Sequence, residues 1–287
     1  MKISIMKNYL FVSVLFLSIV SCNKDDIKPA NTVTVQNFTA NINENVTNGL
    51  SVGIVQATGN GTLNYSIVTQ TSAGALTINS GTGELSVANN SLFDYETIQI
   101  VTATVAVNNS GTVENLSATI NLLDVHEVGE YKFGGVIFWV NSTGKAGLAC
   151  TTTDQNTNIQ WYNGSYGNTG ASGAAVGTGQ ANTTAIINFQ GAGTYAAKIC
   201  DDLTLNGFSN WYLPSEDELN QMYINRAVIN STSMANGGTA FLNSYYWSST
   251  ESNTNNARNQ DFATGTQAHT GKGIFRKVRA IRSWTDF

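Results

Sequence analysis

Apolar and polar positions alternate through residues 31–127. The alternation runs over Val33-Thr34-Val35, Leu50 to Val55, Leu63 to Val68, Leu76-Thr77-Ile78, Glu84 to Val87, Ile100 to Val107 and Ser117 to Leu123. A period of two puts one face of each segment on a core and the other in water, as half-buried strands require. Turn-forming runs, Thr58-Gly59-Asn60-Gly61 and Asn79-Ser80-Gly81-Thr82-Gly83, separate the segments. About seven short strands in about 95 residues predict an all-β sandwich of immunoglobulin-like type.

Past residue 128 the period becomes mixed and predicts an α+β domain. Gly135 to Val140 and Ala146 to Ala149 read as a hairpin that turns at Asn141 to Lys145. Thr183 to Asp202 reads as helix, broken near Gly191 and Gly193. Residues 214–226 give the clearest helix: Ser215 and Glu218 are spaced as a capping box, and Leu219, Met222 and Tyr223 share a face. Phe275 to Trp284 alternates like one closing strand. At the other end, the apolar run Tyr9 to Val20 follows Lys2 and Lys7. It is shorter than the roughly 20 residues a membrane helix needs and fits the h-region of a secretory signal peptide.

Composition sharpens this picture in two ways. Charged residues are 11% of the chain, against roughly 25% in typical soluble proteins, and Asn, Thr, Ser and Gly take their place. That mix suits extracellular, turn-rich β folds. Charge is also unevenly placed. Residues 31–127 hold Glu44, Glu84, Asp94, Glu96, Glu114, Asp124 and Glu127 and neither Lys nor Arg, whereas acids and bases balance over residues 128–287. Carboxylates without cations are either solvated or share metal ions. The break places a domain boundary near residue 127. Catalysis finds no frame: the two histidines, His126 and His269, sit in no His-Glu-x-x-His, and Gly-x-Ser-x-Gly is absent. Gly265 to Gly273 lacks both the spacing of a phosphate loop and a Ser or Thr after Lys272. Neither an enzyme nor a nucleic-acid partner is expected.

Three resemblances add to this reading. Ile19-Val20-Ser21-Cys22 resembles a bacterial lipobox, which implies that residues 1–21 are removed and that Cys22 is lipidated. An ordinary signal peptide with an incidental cysteine is the alternative. Asn23-Lys24-Asp25-Asp26 resembles the acidic tag that, in one group of Gram-negative bacteria, sends lipoproteins to the outer face of the outer membrane. Residues 22–30 are then a linker, and the membrane partner is a lipid anchor that faces the cell exterior.

Residues 31–127 resemble a cadherin repeat in the order of their motifs: Asn43-Glu44-Asn45, Leu63-Asn64-Tyr65-Ser66-Ile67, Ile78 with Thr82-Gly83-Glu84-Leu85, Phe93-Asp94-Tyr95-Glu96 and Leu122-Leu123-Asp124-Val125. The resemblance implies calcium as a cofactor, held by Glu44, Asp94, Glu96 and Asp124. The chain departs from that pattern at Gly59-Asn60-Gly61, at Asn108-Asn109-Ser110 and at His126-Glu127, where further ligands would stand. Any site is therefore partial, and a rigid spacer is the plain alternative.

Residues 128–287 resemble the Lcl C-terminal domain family. The motifs are Ile159-Gln160-Trp161-Tyr162-Asn163-Gly164, Gly177 to Asn182, Asn210 to Leu219, Tyr246 to Glu251 and Val278-Arg279-Ala280-Ile281-Arg282. That family implies a C-type-lectin-like fold, a place at the tips of bacterial surface adhesins and an affinity for sulfated polysaccharide. Trp161, Trp211 and Trp247 then either stack on sugar rings or fill the core. Lys272, Arg276, Lys277, Arg279 and Arg282 concentrate positive charge near the end, but strand alternation splits Lys277 and Arg279 from Arg276 and Arg282. The candidate ligand-binding residues are Arg276, Lys277, Arg279 and Trp247; the alternative has the arginines pairing with acids such as Glu251 or Asp261. Cys150 and Cys200 would close a disulfide in an oxidising compartment, or else remain two buried thiols. The expected function is a surface lipoprotein for adhesion, its head capturing a glycan or a cell-surface protein. The alternative is a structural component of a surface assembly with no glycan affinity.

Overall fold

The computed structural model describes residues 30–286. The signal peptide, Cys22 and the acidic tag lie outside the described residues. Two compact units divide the chain: the described part of Met1–Ala40 with Thr47–Asn90 and Ile100–Ile120, and Asn41–Val46 with Ser91–Gln99 and Asn121–Phe287. The composition break near residue 127 falls inside the second unit.

The alternating half forms β1 (Val33–Val35), β2 (Phe38–Asn43), β3 (Ser51–Ile54), β4 (Ala57–Gly59), β5 (Asn64–Gln70), β6 (Leu76–Ile78), β7 (Glu84–Val87), β8 (Ile100–Asn109) and β9 (Thr112–Leu123). Four strands order as β2-β9-β8-β5, three as β3-β7-β6, and β1 pairs with β4. On β8, Val101, Ala103, Val105 and Val107 are buried and their neighbours are not; Leu116, Ala118, Ile120 and Leu122 repeat this on β9. Two strands go beyond the expected seven. In β2, Phe38, Ala40 and Ile42 alternate with exposed polar residues and are themselves only half-buried. In β4, three residues gain order by pairing with β1, Val33 opposite Gly59. The neutral motifs that replace acids also have a use here. Asn109 donates to the Thr32 carbonyl at 2.9 Å and to Asn60 at 3.0 Å, and Asn60 donates to the Ala30 carbonyl at 2.9 Å. Amides tie down the first strand where carboxylates would need a cation.

The second half forms β10 (Tyr131–Lys132), β11 (Gly135–Val140), β12 (Ala146–Cys150), β13 (Asn156–Ile159), α1 (Gly179–Gln190), α2 (Ala196–Asp201), α3 (Glu216–Ile224), α4 (Arg226–Ala235), β14 (Tyr245–Glu251), β15 (Asn256–Asp261), β16 (Gln267–Gly271), β17 (Arg276–Val278) and β18 (Ile281–Thr285). One sheet orders as β10-β11-β12-β18 and the other as β13-β17-β14-β15-β16. The hairpin and the broken helix lie where the pattern puts them. The Ser215–Glu218 capping box closes the start of α3, whose first turn also gains from Glu216 and Asp217. Helix α4 escapes the pattern because it buries only Ile229 and Ser233. The closing strand is corrected to two strands in different sheets. Arg279 is 1% exposed and turns its guanidinium onto Asp154 at 2.8 Å, which takes the backbone out of β17 before β18 begins. Among the described residues no helix is long and apolar enough to cross a membrane.

The centre of this unit holds a buried ion pair. Lys272 is fully buried and its ammonium donates to Glu251, to the Gly167 carbonyl at 2.8 Å and to the Thr254 carbonyl at 2.8 Å, 4.8 Å from the Trp161 ring centre. Glu251 in turn accepts from the Thr169 amide at 2.9 Å and the Gly170 amide at 3.3 Å. The expected Cys150–Cys200 disulfide is also corrected: both are free and buried, each in a different apolar cluster. Burial pushes the Cys150 thiol up to about 12 and the Cys200 thiol up as well, so neither is a ready thiolate.

Lys272→Met should strand the Glu251 carboxylate in the core and cost about 3–5 kcal/mol, the range for breaking a buried pair from one side. Thermal denaturation of the full chain measures it. A loss of under about 1 kcal/mol would mean the pair is not the clamp described.

Candidate metal centre

Four acids, Glu44, Asp94, Glu96 and Asp124, were expected to share calcium, and the structure treats them differently. Glu44 follows β2 and is only 5% exposed. Its carboxylate accepts from the Val125 amide at 2.7 Å with one oxygen and from the Tyr95 amide at 2.8 Å with the other. It therefore pins the two loops that carry the remaining acids. Asn45, in the left-handed region at φ 55°, turns the chain away directly after it.

One ligand oxygen each from Glu44, Glu96 and Asp124 lies within 4.8 Å of the others. Asp94 is not in this group. Its carboxylate accepts from the Glu96 amide at 3.1 Å, the Thr97 amide at 3.3 Å and the Thr97 hydroxyl at 3.0 Å, which closes the turn that aims Glu96. Glu96 itself is exposed. Its carboxyl is held above the usual range by burial first, and then by the charges of Glu44, Asp124 and Glu130, against a backbone hydrogen bond that pulls it down. The negative charges are thus uncompensated at Glu96 when no cation is near.

A second set shares Asp124: an oxygen or nitrogen each from Asp124, His126 and Glu130 lies within 4.8 Å of the others. His126 is buried, edge-on to Phe133 and to Trp284 with ring centres 5.0 Å away in each case. Its Nδ1 is 3.2 Å from Glu130 and 3.3 Å from Asp124, and its Nε2 is 3.2 Å from Asp286. Lys132 completes the group. Its Nζ donates to Asp124 Oδ2 at 2.7 Å and lies 3.3 Å from His126 Nδ1. Burial alone would lower the Lys132 ammonium, but Asp124, Glu130 and Asp286 outweigh it and hold it above its ordinary value. The pattern of alternation does not reveal this set. The four-residue step from His126 to Glu130 is visible in the chain, whereas Asp286 is 160 residues away.

The acids fit a hard cation. Calcium takes six to eight oxygens, and three clustered carboxylates give a part of that shell. Asp124 Oδ1 is buried, accepts no hydrogen bond and faces His126 Nδ1 at 3.3 Å. The fit is to a partial site, because three carboxylates converge.

The candidate ligand residues of the second half fare less well. Trp247 is fully buried and its Nε1 donates to the Ile159 carbonyl at 3.0 Å, so it offers no face to a sugar. Trp161 and Trp211 are buried too and donate to the Ser248 and Phe208 carbonyls. Arg279 belongs to the Asp154 pair and stacks on Phe241. Arg276 and Lys277 are half-buried neighbours on β17, with Arg276 over the Tyr245 ring at 4.7 Å and Lys277 reaching the Thr157 carbonyl at 3.5 Å. The four do not form one surface. Tyr131, Tyr166, Phe189, Tyr245 and Phe275 are exposed, and none of them was a candidate from the sequence. Tyr166 pairs with Tyr162 at 4.7 Å between ring centres, and Gly167 packs beneath Phe189.

Comparison with known proteins finds two family matches. Residues 38–123 match the family model of the cadherin domain, and residues 150–282 match that of the Lcl C-terminal domain. The N-terminal part is a cadherin-like β-sandwich, and both families are typically non-enzymatic. Among solved structures, a protocadherin gammaB7 EC3-6 cis-dimer is similar at 22% identity over 33% of this chain, with a TM-score of 0.30. Human protocadherin-24 EC1-2 is similar at 19% identity over 34% of this chain and 46% of that chain, TM-score 0.30. The third cadherin domain of human protocadherin 7 is similar at 19% identity over 36% of this chain and 94% of that domain, TM-score 0.29. The aligned part spans 25% of the protocadherin gammaB7 chain. No curated protein matches the sequence.

The Glu96 carboxyl, raised by burial and then by its acidic neighbours, gives a pH-dependent outcome. A carboxyl raised in the folded state contributes stability that is present below its ordinary value of 4.5 and is lost as pH rises through the folded value. In chelator at pH 7, Glu96→Gln should therefore raise the thermal midpoint. The gain is toward the lower end of about 0.2–1 kcal/mol, because water screens an exposed group. It should vanish near pH 4. A variant less stable than the parent at both pH values would contradict this account of the cluster.

Proposed function

We propose that this chain is a lipid-anchored surface protein for adhesion or ligand capture, with a calcium-binding cadherin-like stalk and a C-terminal domain of C-type-lectin-like fold as its head. One observation carries the reading: Glu44, Glu96 and Asp124 converge within 4.8 Å in a chain that matches a cadherin domain. Calcium, when bound, supplies the positive charge these carboxylates lack. Glu44 holds the two loops in register for it through the Tyr95 and Val125 amides, Glu96 supplies an exposed carboxylate, and Asp124 a half-buried one. Asp94 positions Glu96 through its turn. The cadherin domain supports an extracellular, adhesion-type role.

At the head, a glycan reading turns to exposed aromatic faces. Tyr166 at 53% and Phe189 at 44% exposure present rings to water, and such faces suit sugars. The burial of Trp247 and Arg279 favours the second reading, a head that docks a cell-surface protein or serves as a structural part of a surface assembly.

The full chain on a glycan array, with calcium and then with chelator, separates these readings. Retention lost in Tyr166→Ala with folding intact supports the glycan reading, and an array with no signal favours the protein partner. For the anchor, Cys22→Ala should abolish acylation and move the protein from the membrane fraction to the soluble fraction. Attachment that survives the substitution would count against a lipid anchor.

A further inference from the structure

The acidic centre carries its own cation. Among the described residues, Lys132 is the one lysine or arginine in ion-pair contact with Glu44, Glu96 or Asp124. Its place is built in. Lys132 ends β10, and β11 begins after a two-residue turn, Phe133 at φ 54° and Gly134 at φ 86°. A left-handed pair of this kind makes a tight hairpin, and Gly at the second position suits it. The ammonium lies 5.8 Å from the Phe133 ring centre and meets Asp124 Oδ2 at 2.7 Å. Asp124 thus belongs to two sets. One oxygen is taken by the ammonium, and its carboxylate is also a member of the Glu44–Glu96 cluster.

We propose that Lys132 is a built-in cation that competes with a metal ion for Asp124 and so sets the affinity of the centre. The inference rests on the calcium reading above. Two consequences follow from charge alone. Without metal, the ammonium compensates Asp124 and, beyond it, Glu130 and Asp286 around His126. With metal, it faces a divalent cation across a shared carboxylate, and like charges a few ångströms apart repel even near a protein surface. Lys132 therefore stabilises the metal-free state and weakens the metal-bound one. A purely structural lysine would stabilise both alike.

The test is calcium titration by calorimetry, with thermal melts in chelator and in calcium, on the full chain and on Lys132→Met and Lys132→Arg. The Lys132 side chain is 42% exposed, so methionine can be accommodated. The expected result is about tenfold tighter calcium binding in Lys132→Met, less at high salt because exposed charges are screened. Its midpoint in chelator should fall while its calcium-induced rise grows. Lys132→Arg should keep the parent affinity. Equal affinity in the parent and in Lys132→Met overturns the proposal and leaves the calcium centre standing. Calcium binding by neither protein overturns both. Lys132→Gln gives the same test if methionine disturbs the hairpin.

Discussion

A charge taken out of water has to meet its opposite, and the Lys272–Glu251 pair shows how much of the second unit is arranged around that constraint. The ammonium has no exposure, and it donates to Glu251, Gly167 and Thr254. Glu251 gathers the Thr169 and Gly170 amides in return. One pair therefore fixes the end of β14, the loop before α1 and the turn after β16. Trp161 lies against the ammonium, and its own Nε1 bonds to β14. The Asp154–Arg279–Tyr246 group applies the same rule beside Phe241.

This use of charge explains why three of the five bases near the end of the chain are inside the fold. Lys272, Arg279 and Arg282 are buried, and each is spent on a partner inside the fold: Glu251, Asp154, and the Phe133 carbonyl with Asn210. With few charges in the chain, those present are placed where a loop must be held.

The acidic centre breaks the rule in the other direction. Glu44, Glu96 and Asp124 converge with an ammonium on only one of them, and burial together with its acidic neighbours raises the Glu96 carboxyl. The cluster keeps carboxylate charge without a cationic partner, whereas Lys272–Glu251 is fully paired.

The chain by itself determined what depends on period and on local hydrogen bonds. The β-sandwich alternation, the β11–β12 hairpin and the Ser215–Glu218 capping box were legible because each is settled within a few residues. Glu44, Glu96 and Asp124 were legible through the resemblance to a cadherin repeat, which also implied Asp94; composition showed only that the seven acids of residues 31–127 have no basic residue in that stretch. Tertiary structure alone decided what depends on distant partners. It put Asp94 into a turn, brought Asp286 to His126, buried Trp247 and Arg279, and left Cys150 and Cys200 in separate apolar clusters. None of these follows from spacing, because a charge or a ring is committed by whatever the fold lays beside it. That neighbour can stand more than a hundred residues away, as Asp154 does from Arg279.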